Sequence, residues 1–210
     1  MALEATHIRF ALDIENRYKI EDIKKYISGA IYPDSRYVTK IDRNLTHNEN
    51  IILPKFAKDD FKKGWQAHQI GDIVQNKVKR KLFSDILGEC SGCSEEEWII
   101  STAIKIIQDI SDMQKFDLQS YIKCLEYVEN PNGEGIGKVK EYYKVIIDLY
   151  KNKKNTSIED YCKMWLGLGI SEELGEKVKV KTREFVNDKD MVKRIDAIYD
   201  EMIGLYKENY

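Results

Sequence analysis

Histidine is scarce in this 210-residue chain, and its few copies are unevenly distributed. There are only three, His7, His47 and His68, so none follows residue 68. Imidazole is the side chain that most often serves as a base near neutral pH and as a metal ligand. Histidine-based chemistry is therefore restricted to the first third of the sequence.

The chain also lacks an excess of charge of one sign and any long apolar run. Lys and Arg number 34 against 36 Asp and Glu, and a net charge of -2 provides no overall positive field for nucleic acid or anionic lipid. No stretch approaches the ~20 apolar residues that span a bilayer, and the opening residues lack the apolar core of a secretory signal. We therefore expect a soluble cytoplasmic protein without a transmembrane segment.

Cysteine is also infrequent, with four residues in the chain. Cys90 and Cys93 have the spacing of half a zinc knuckle or of a redox pair, but no second pair and no histidine follows them. Cysteines of a cytoplasmic protein are expected to stay reduced. We interpret this pair as part of a loop.

Proline occurs only three times, and apolar residues recur at spacings of three and four, a combination typical of helices. Ser94 and Glu97 form a capping-box pattern before an apolar stripe that begins at Ile99, which predicts a helix over 94–114. The sequence predicts an all-α fold, a single-domain multi-helix bundle spanning 1–210. Residues 1–90 carry the candidate metal ligands, and 91–210 form a helical remainder.

Other segments have weaker helical patterns or none. The stretch 30–59 has little periodicity and two prolines, so we expect it to be irregular and functional. We expect one long helix at the end of the chain, over 191–206. Further helices are predicted at 7–14, 21–29, 60–79, 118–127, 138–150, 158–165 and from 171 onward.

His68 and Asp72 are four residues apart in the predicted helix over 60–79. This spacing places an imidazole and a carboxylate on one face of a helix, where both can bind the same metal ion. The apolar neighbours Trp65, Ile70 and Ile73 indicate that this face is buried, where an unpaired carboxylate is costly. A bound metal would offset that cost, and so would a direct His68–Asp72 hydrogen bond.

Two further candidate ligands precede this helix. Asp34 follows Pro33 where a helix should stop, and His47 lies thirteen residues later. Taken singly, Asp34 can cap a turn and His47 can be an ordinary loop residue. Their coincidence with His7, His68 and Asp72 favours a shared metal site.

Four segments together resemble the zinc-dependent phospholipase C family, whose all-helical fold is shared with fungal single-strand-specific nucleases. The resemblance covers about residues 5 to 75. The segments are Thr6-His7-Ile8-Arg9-Phe10-Ala11, Gly29-Ala30-Ile31-Tyr32-Pro33-Asp34, Arg43-Asn44-Leu45-Thr46-His47 and Gly64-Trp65-Gln66-Ala67-His68-Gln69-Ile70-Gly71-Asp72.

The resemblance implies a site with one or two metal ions. Asp34, His47, His68 and Asp72 would surround one ion, and His7 would hold a second that Asp72 bridges. Imidazole and carboxylate ligands without thiolate suit catalytic zinc, with manganese or iron as alternatives. Asp34 and Asp72 are the expected catalytic residues, although Asp34 can be either a ligand or the base that activates water.

The expected function is hydrolysis of a phosphoester, either a small molecule or a lipid headgroup. The family's three-metal members hold another ion on two histidines and a glutamate further along the chain, and no histidine follows His68 here. That difference keeps a second hypothesis open, a non-catalytic helical binding protein with a structural or vestigial metal site. The sequence leaves the oligomeric state open.

Overall fold

The computed structural model describes residues 3–47, 59–88 and 94–210, and within these ranges the chain is helical and has no β-strand. Short 3-10 helices cover Tyr32–Ser35 and Lys123–Glu126. The α-helices are α1 (Glu4–Glu15), α2 (Ile23–Ile31), α3 (Arg36–Thr39), α4 (Arg43–Thr46), α5 (Asp60–Leu82), α6 (Glu95–Met113), α7 (Gln119–Ile122), α8 (Ile136–Tyr150), α9 (Ile158–Gly167), α10 (Glu172–Asn187), α11 (Lys189–Asp196) and α12 (Ile198–Asn209).

The two longest helices begin where the sequence predicts. Asp59 caps α5 by accepting a hydrogen bond from the backbone of Lys62, and Ser94 caps α6 by accepting one from Glu97. Such caps satisfy backbone N–H groups that have no partner within the helix. The all-α prediction is therefore confirmed. The Cys90–Cys93 pair lies outside the described residues.

Helices α2 and α5 cross so closely that their backbones touch. At Gly64 a Cβ atom would overlap the carbonyl oxygen of Tyr26, and at Gly29 it would overlap that of Phe61. Only glycine permits such an approach of two helix backbones. The crossing brings the end of α2, just before Asp34, against the part of α5 that carries His68.

Helix α1 is attached to α6 by buried polar contacts. The Thr6 backbone N–H donates to Asp109 at 2.8 Å, and the Thr6 hydroxyl donates to Asp112 at 2.7 Å. Asp109 also accepts from the hydroxyls of Tyr150 and Tyr161, at 2.6 and 2.7 Å. This network fixes the orientation of α1 at Thr6. His7 is the residue that follows Thr6 in this helix.

Two of the expected elements are wrong in detail. The last segment is not one helix, because it divides at Ala197 into α11, which packs on α10 and α6, and α12, which packs mainly on α5. The stretch 30–59 was expected to be irregular, but three short helices form within 32–46. Residues 48–58 of this stretch lie outside the described residues. In the described part of the chain, no helix has the length and apolar character needed to cross a membrane.

Candidate metal centre

The five predicted ligands converge on one buried cluster, although they come from different parts of the fold. His7 lies on α1, Asp34 on the 3-10 helix after α2, His47 directly after α4, and His68 and Asp72 on α5. His7 and His68 are each 1% exposed, Asp34 is 4% and Asp72 is 5% exposed. The structure therefore brings together all five residues that the sequence analysis selected.

Helix α5 also holds His47 in place. The carbonyl oxygen of Thr46 accepts a hydrogen bond from Trp65 Nε1 at 2.7 Å and another from Gln69 Nε2 at 2.8 Å. Both donors are on α5, one turn apart and close to His68. The short helix α4 is thereby attached to the long helix that supplies two of the other ligands.

Four of the side chains form a compact group of nitrogen and oxygen atoms. The Nε2 atoms of His47 and His68 are 3.2 Å apart. His47 Nε2 lies 3.6 Å from an oxygen of Asp34 and 3.6 Å from one of Asp72. His68 Nε2 lies 3.9 and 3.7 Å from oxygens of the same two aspartates.

Hydrogen bonds on the far side of each ring orient the imidazoles. His68 Nδ1 donates to the carbonyl oxygen of Ala30 at 2.8 Å, which leaves the lone pair of its Nε2 directed at the cluster. His47 Nδ1 is 2.8 Å from the Thr46 hydroxyl, whose own proton can be donated to the Arg43 carbonyl at 3.2 Å. In that arrangement His47 Nδ1 also donates. Such outer hydrogen bonds fix the tautomer of metal-binding histidines.

These distances fit a bound cation. With both Nδ1 atoms donating, two Nε2 lone pairs face each other at 3.2 Å, an arrangement that a cation between them would stabilise. In a tetrahedral zinc site with Zn–N bonds of about 2.0–2.1 Å, two ligand nitrogens are roughly 3.3 Å apart. The group formed by Asp34, His47 and His68 therefore has the donor types and spacing to hold a metal ion, and Asp72 shares a second such group with His7 and His68.

His7 extends the cluster on the other side of Asp72. Its Nε2 lies 3.5 Å from Asp72 Oδ1, whereas Asp72 Oδ2 faces His47 and His68. Its ring stacks on that of His68 with centroids 3.7 Å apart, and neither of its nitrogens has a hydrogen-bond partner within the described ranges. His7 and Asp72 Oδ1 could therefore contribute to a second ion, with Asp72 between the two.

Burial keeps the imidazoles of His7 and His47 in the neutral form that binds metal. It lowers the pKa of His7 to about 3 and that of His47 to about 2, and the nearby His68 lowers both further. Burial also raises the pKa of Asp34. The pKa of Asp72 lies well below its usual range, because His68 and His7 are among the groups that outweigh its burial. A cation would compensate the buried carboxylates.

A narrow cleft of ≈ 40 Å³ reaches the cluster from the side of α6. Asp34 lies on its wall together with Glu4, Thr102 and Lys105. The rest of the wall is mainly apolar and includes Tyr37, Trp98, Met164, Trp165, Leu168 and Ile170. The cleft provides a route by which a small polar group with an apolar substituent could reach Asp34.

Sequence reasoning missed several residues around the cluster. Glu4 is 4% exposed, and its Oε1 accepts from the Tyr142 hydroxyl at 3.1 Å. Burial, with a smaller effect from Asp109, raises the pKa of Glu4 to about 8. Its position three residues before His7 was a usable signal, because that spacing shares a helix face. Lys105 gave no such signal, since only the packing of α6 places it there.

Comparisons with models of known protein families, with curated proteins and with solved structures give no match to this chain.

Proposed function

We propose that the protein is a metal-dependent hydrolase of phosphoesters, with one or two ions held by His7, Asp34, His47, His68 and Asp72. The observation that carries the proposal is the pair of imidazole Nε2 atoms 3.2 Å apart between two buried aspartates. The resemblance of residues 5 to 75 to the zinc-dependent phospholipase C family supports the same activity. It also supports an all-helical fold like that of this family.

The donor set favours catalytic zinc, with manganese or iron as alternatives. Imidazole and carboxylate ligands are typical of hydrolytic centres, whereas structural zinc sites are rich in thiolate. An ion held here would lower the pKa of water and polarise a phosphoryl oxygen. The burial of the ligands keeps bulk water away from those interactions.

Asp34 has the position for a direct role in catalysis, because it belongs to both the cluster and the cleft wall. Its Oδ1 has no hydrogen-bond partner among the described residues. That oxygen can ligate the ion or accept the proton of the attacking water. Asp72 lies between His7 and the other two histidines, so its role is to connect the two halves of the cluster.

The cleft beside Asp34 favours a catalytic metal over a purely structural one. Structural sites are closed, whereas catalytic sites leave room for water or substrate. Here the ligand Asp34 lines a cleft whose walls include Trp98 and Trp165. We infer that the substrate is a phosphoester whose organic part is apolar or aromatic.

Hydrolysis of p-nitrophenyl phosphate and bis-p-nitrophenyl phosphate by the metal-loaded protein tests the proposal. His68→Ala should lower kcat/KM more than about 100-fold, because it removes a ligand from the ion that activates water. Asp60→Asn is the matched control: Asp60 is also a buried aspartate of α5, but it accepts hydrogen bonds from the backbone of Glu21 and Asp22. Its turnover should stay near that of the wild type.

Asp34→Asn distinguishes the two roles of Asp34. An asparagine oxygen can still ligate but cannot accept the proton of water. Retained metal with lost turnover would identify Asp34 as the base, and retained metal with largely retained turnover would identify it as a ligand. Absence of turnover with bound zinc, manganese and iron near neutral pH would contradict the proposal and favour a binding protein with a structural metal.

A further inference from the structure

Lys105 introduces a positive charge into the cleft beside the metal cluster. It projects from α6, and it is the only cationic side chain among the described residues that line this cleft. Thr102 lies three residues earlier on the same helix and lines the same wall. Residues at this spacing share one face of a helix. A hydroxyl and an ammonium group therefore stand side by side near Asp34.

We propose that Lys105, assisted by Thr102, forms an anion subsite that holds a non-bridging phosphoryl oxygen of the substrate beside the metal centre. This inference rests on the proposed function and adds to it the residue that recognises the phosphoryl group. Lysine binds phosphate as a compact point charge, and charge-assisted hydrogen bonds are about twice as strong as neutral ones.

The electrostatics of the cleft support this assignment. Burial lowers the pKa of Lys105, while Asp72 and Asp34 are the carboxylates that favour its charged form. On the neighbouring helix α5, Lys79 is 1% exposed and donates to the Ser101 hydroxyl at 3.0 Å. Burial, followed by the positive charge of Lys105, holds the pKa of Lys79 well below its usual range. An anion beside Lys105 would offset the charge that acts against protonation of Lys79.

The size of the cleft fits a phosphoryl group. A space of ≈ 40 Å³ holds roughly three water molecules, since each needs about 10–15 Å³ of such space. Three waters correspond to the three terminal oxygens of a phosphate monoester. The rings of Trp98 and Trp165, whose centroids are 6.0 Å apart, line the same cleft and can contact the organic group.

Calorimetric titration of the zinc-loaded protein with inorganic phosphate, after removal of excess zinc, tests the subsite. A hydrogen bond to a charged group contributes enough that Lys105→Met should weaken phosphate binding at least about tenfold. Lys105→Arg should restore affinity to within about threefold. Lys79→Met is the matched control, because it removes a buried lysine side chain that does not line the cleft.

Zinc content and melting temperature, measured for every variant, show that each remains folded and loaded. Unchanged phosphate affinity in Lys105→Met would overturn the inference, as would an equal loss in Lys79→Met or no binding by the wild type. Phosphate binding without ester hydrolysis would support the subsite and contradict the proposed function. Ester hydrolysis by the wild type, with unaltered phosphate affinity in Lys105→Met, would support the proposed function and contradict the subsite.

Discussion

Replacing Gly64 with alanine should destabilise the protein and weaken its metal site together. A Cβ at Gly64 would overlap the Tyr26 carbonyl oxygen and lie 2.8 Å from the backbone nitrogen of Ala30. Both obstacles are backbone atoms, so α2 and α5 must move apart to accept one methyl group. The same movement displaces the Ala30 carbonyl that orients His68.

The magnitude follows from the rigidity of those obstacles. Overpacking a core costs about 1–3 kcal/mol, and a clash with backbone places Gly64→Ala near the upper end. In a chain of this size, about 3 kcal/mol corresponds to a melting temperature roughly 6–12 °C lower. Because the orientation of a ligand is disturbed, we also expect zinc affinity to fall about 10- to 100-fold.

Gly204→Ala provides a control with the opposite sign. Gly204 lies within α12, and no atom stands within 4 Å of the point where a Cβ would be added. Alanine within a helix is more stable than glycine by roughly 0.5–1 kcal/mol. Thermal denaturation followed by circular dichroism, together with zinc titration, compares the two variants. Equal melting temperatures, or a Gly64→Ala protein that is as stable as the wild type, would refute the close crossing of α2 and α5.

Two further predictions concern the surroundings of the cluster. Thr46→Val removes the hydroxyl that orients His47 and should weaken zinc binding about 10- to 100-fold, whereas Thr39→Val, outside the cluster, should leave it unchanged; calorimetry checks both. In metal-free protein, the pKa of Glu4 is raised from its ordinary 4.5 to about 8. Its contribution to stability is therefore present below pH 4.5 and lost as pH rises through about 8. Glu4→Gln should flatten the fall in melting temperature over that interval, and an unchanged pH profile would contradict the raised pKa.

The sequence could predict those parts of the site that depend on local spacing. His68 and Asp72 share a helix face because they are four residues apart, and the long helices around them have clear periodicity and caps. The prediction that Asp34 and His47 belong to the same cluster rested on the family resemblance and on their coincidence with the other candidate ligands, and their spacing in the sequence did not imply it. Their convergence depends on the α2–α5 crossing, which the motif glycines Gly29 and Gly64 permit.

The remaining features depend on packing between distant segments. Lys105 reaches the cleft only because α6 packs beside α1, and Glu4 is buried by contact with Tyr142 of α8. Helices of four residues, such as α3 and α4, are too short to show periodicity in a sequence. The division at Ala197 follows from the different neighbours of α11 and α12, which the apolar pattern does not specify.

Zinc titration of chelator-stripped protein, with the bound metal then counted by elemental analysis, addresses the metal centre itself. We predict one or two equivalents bound to the wild type and to Asp60→Asn, and loss of that binding in His68→Ala and Asp72→Ala. Bound zinc should also raise the melting temperature of the wild type, because it binds only the folded state. A wild-type protein that takes up no zinc, manganese or iron, with melting temperatures unchanged in both ligand variants, would contradict the metal centre.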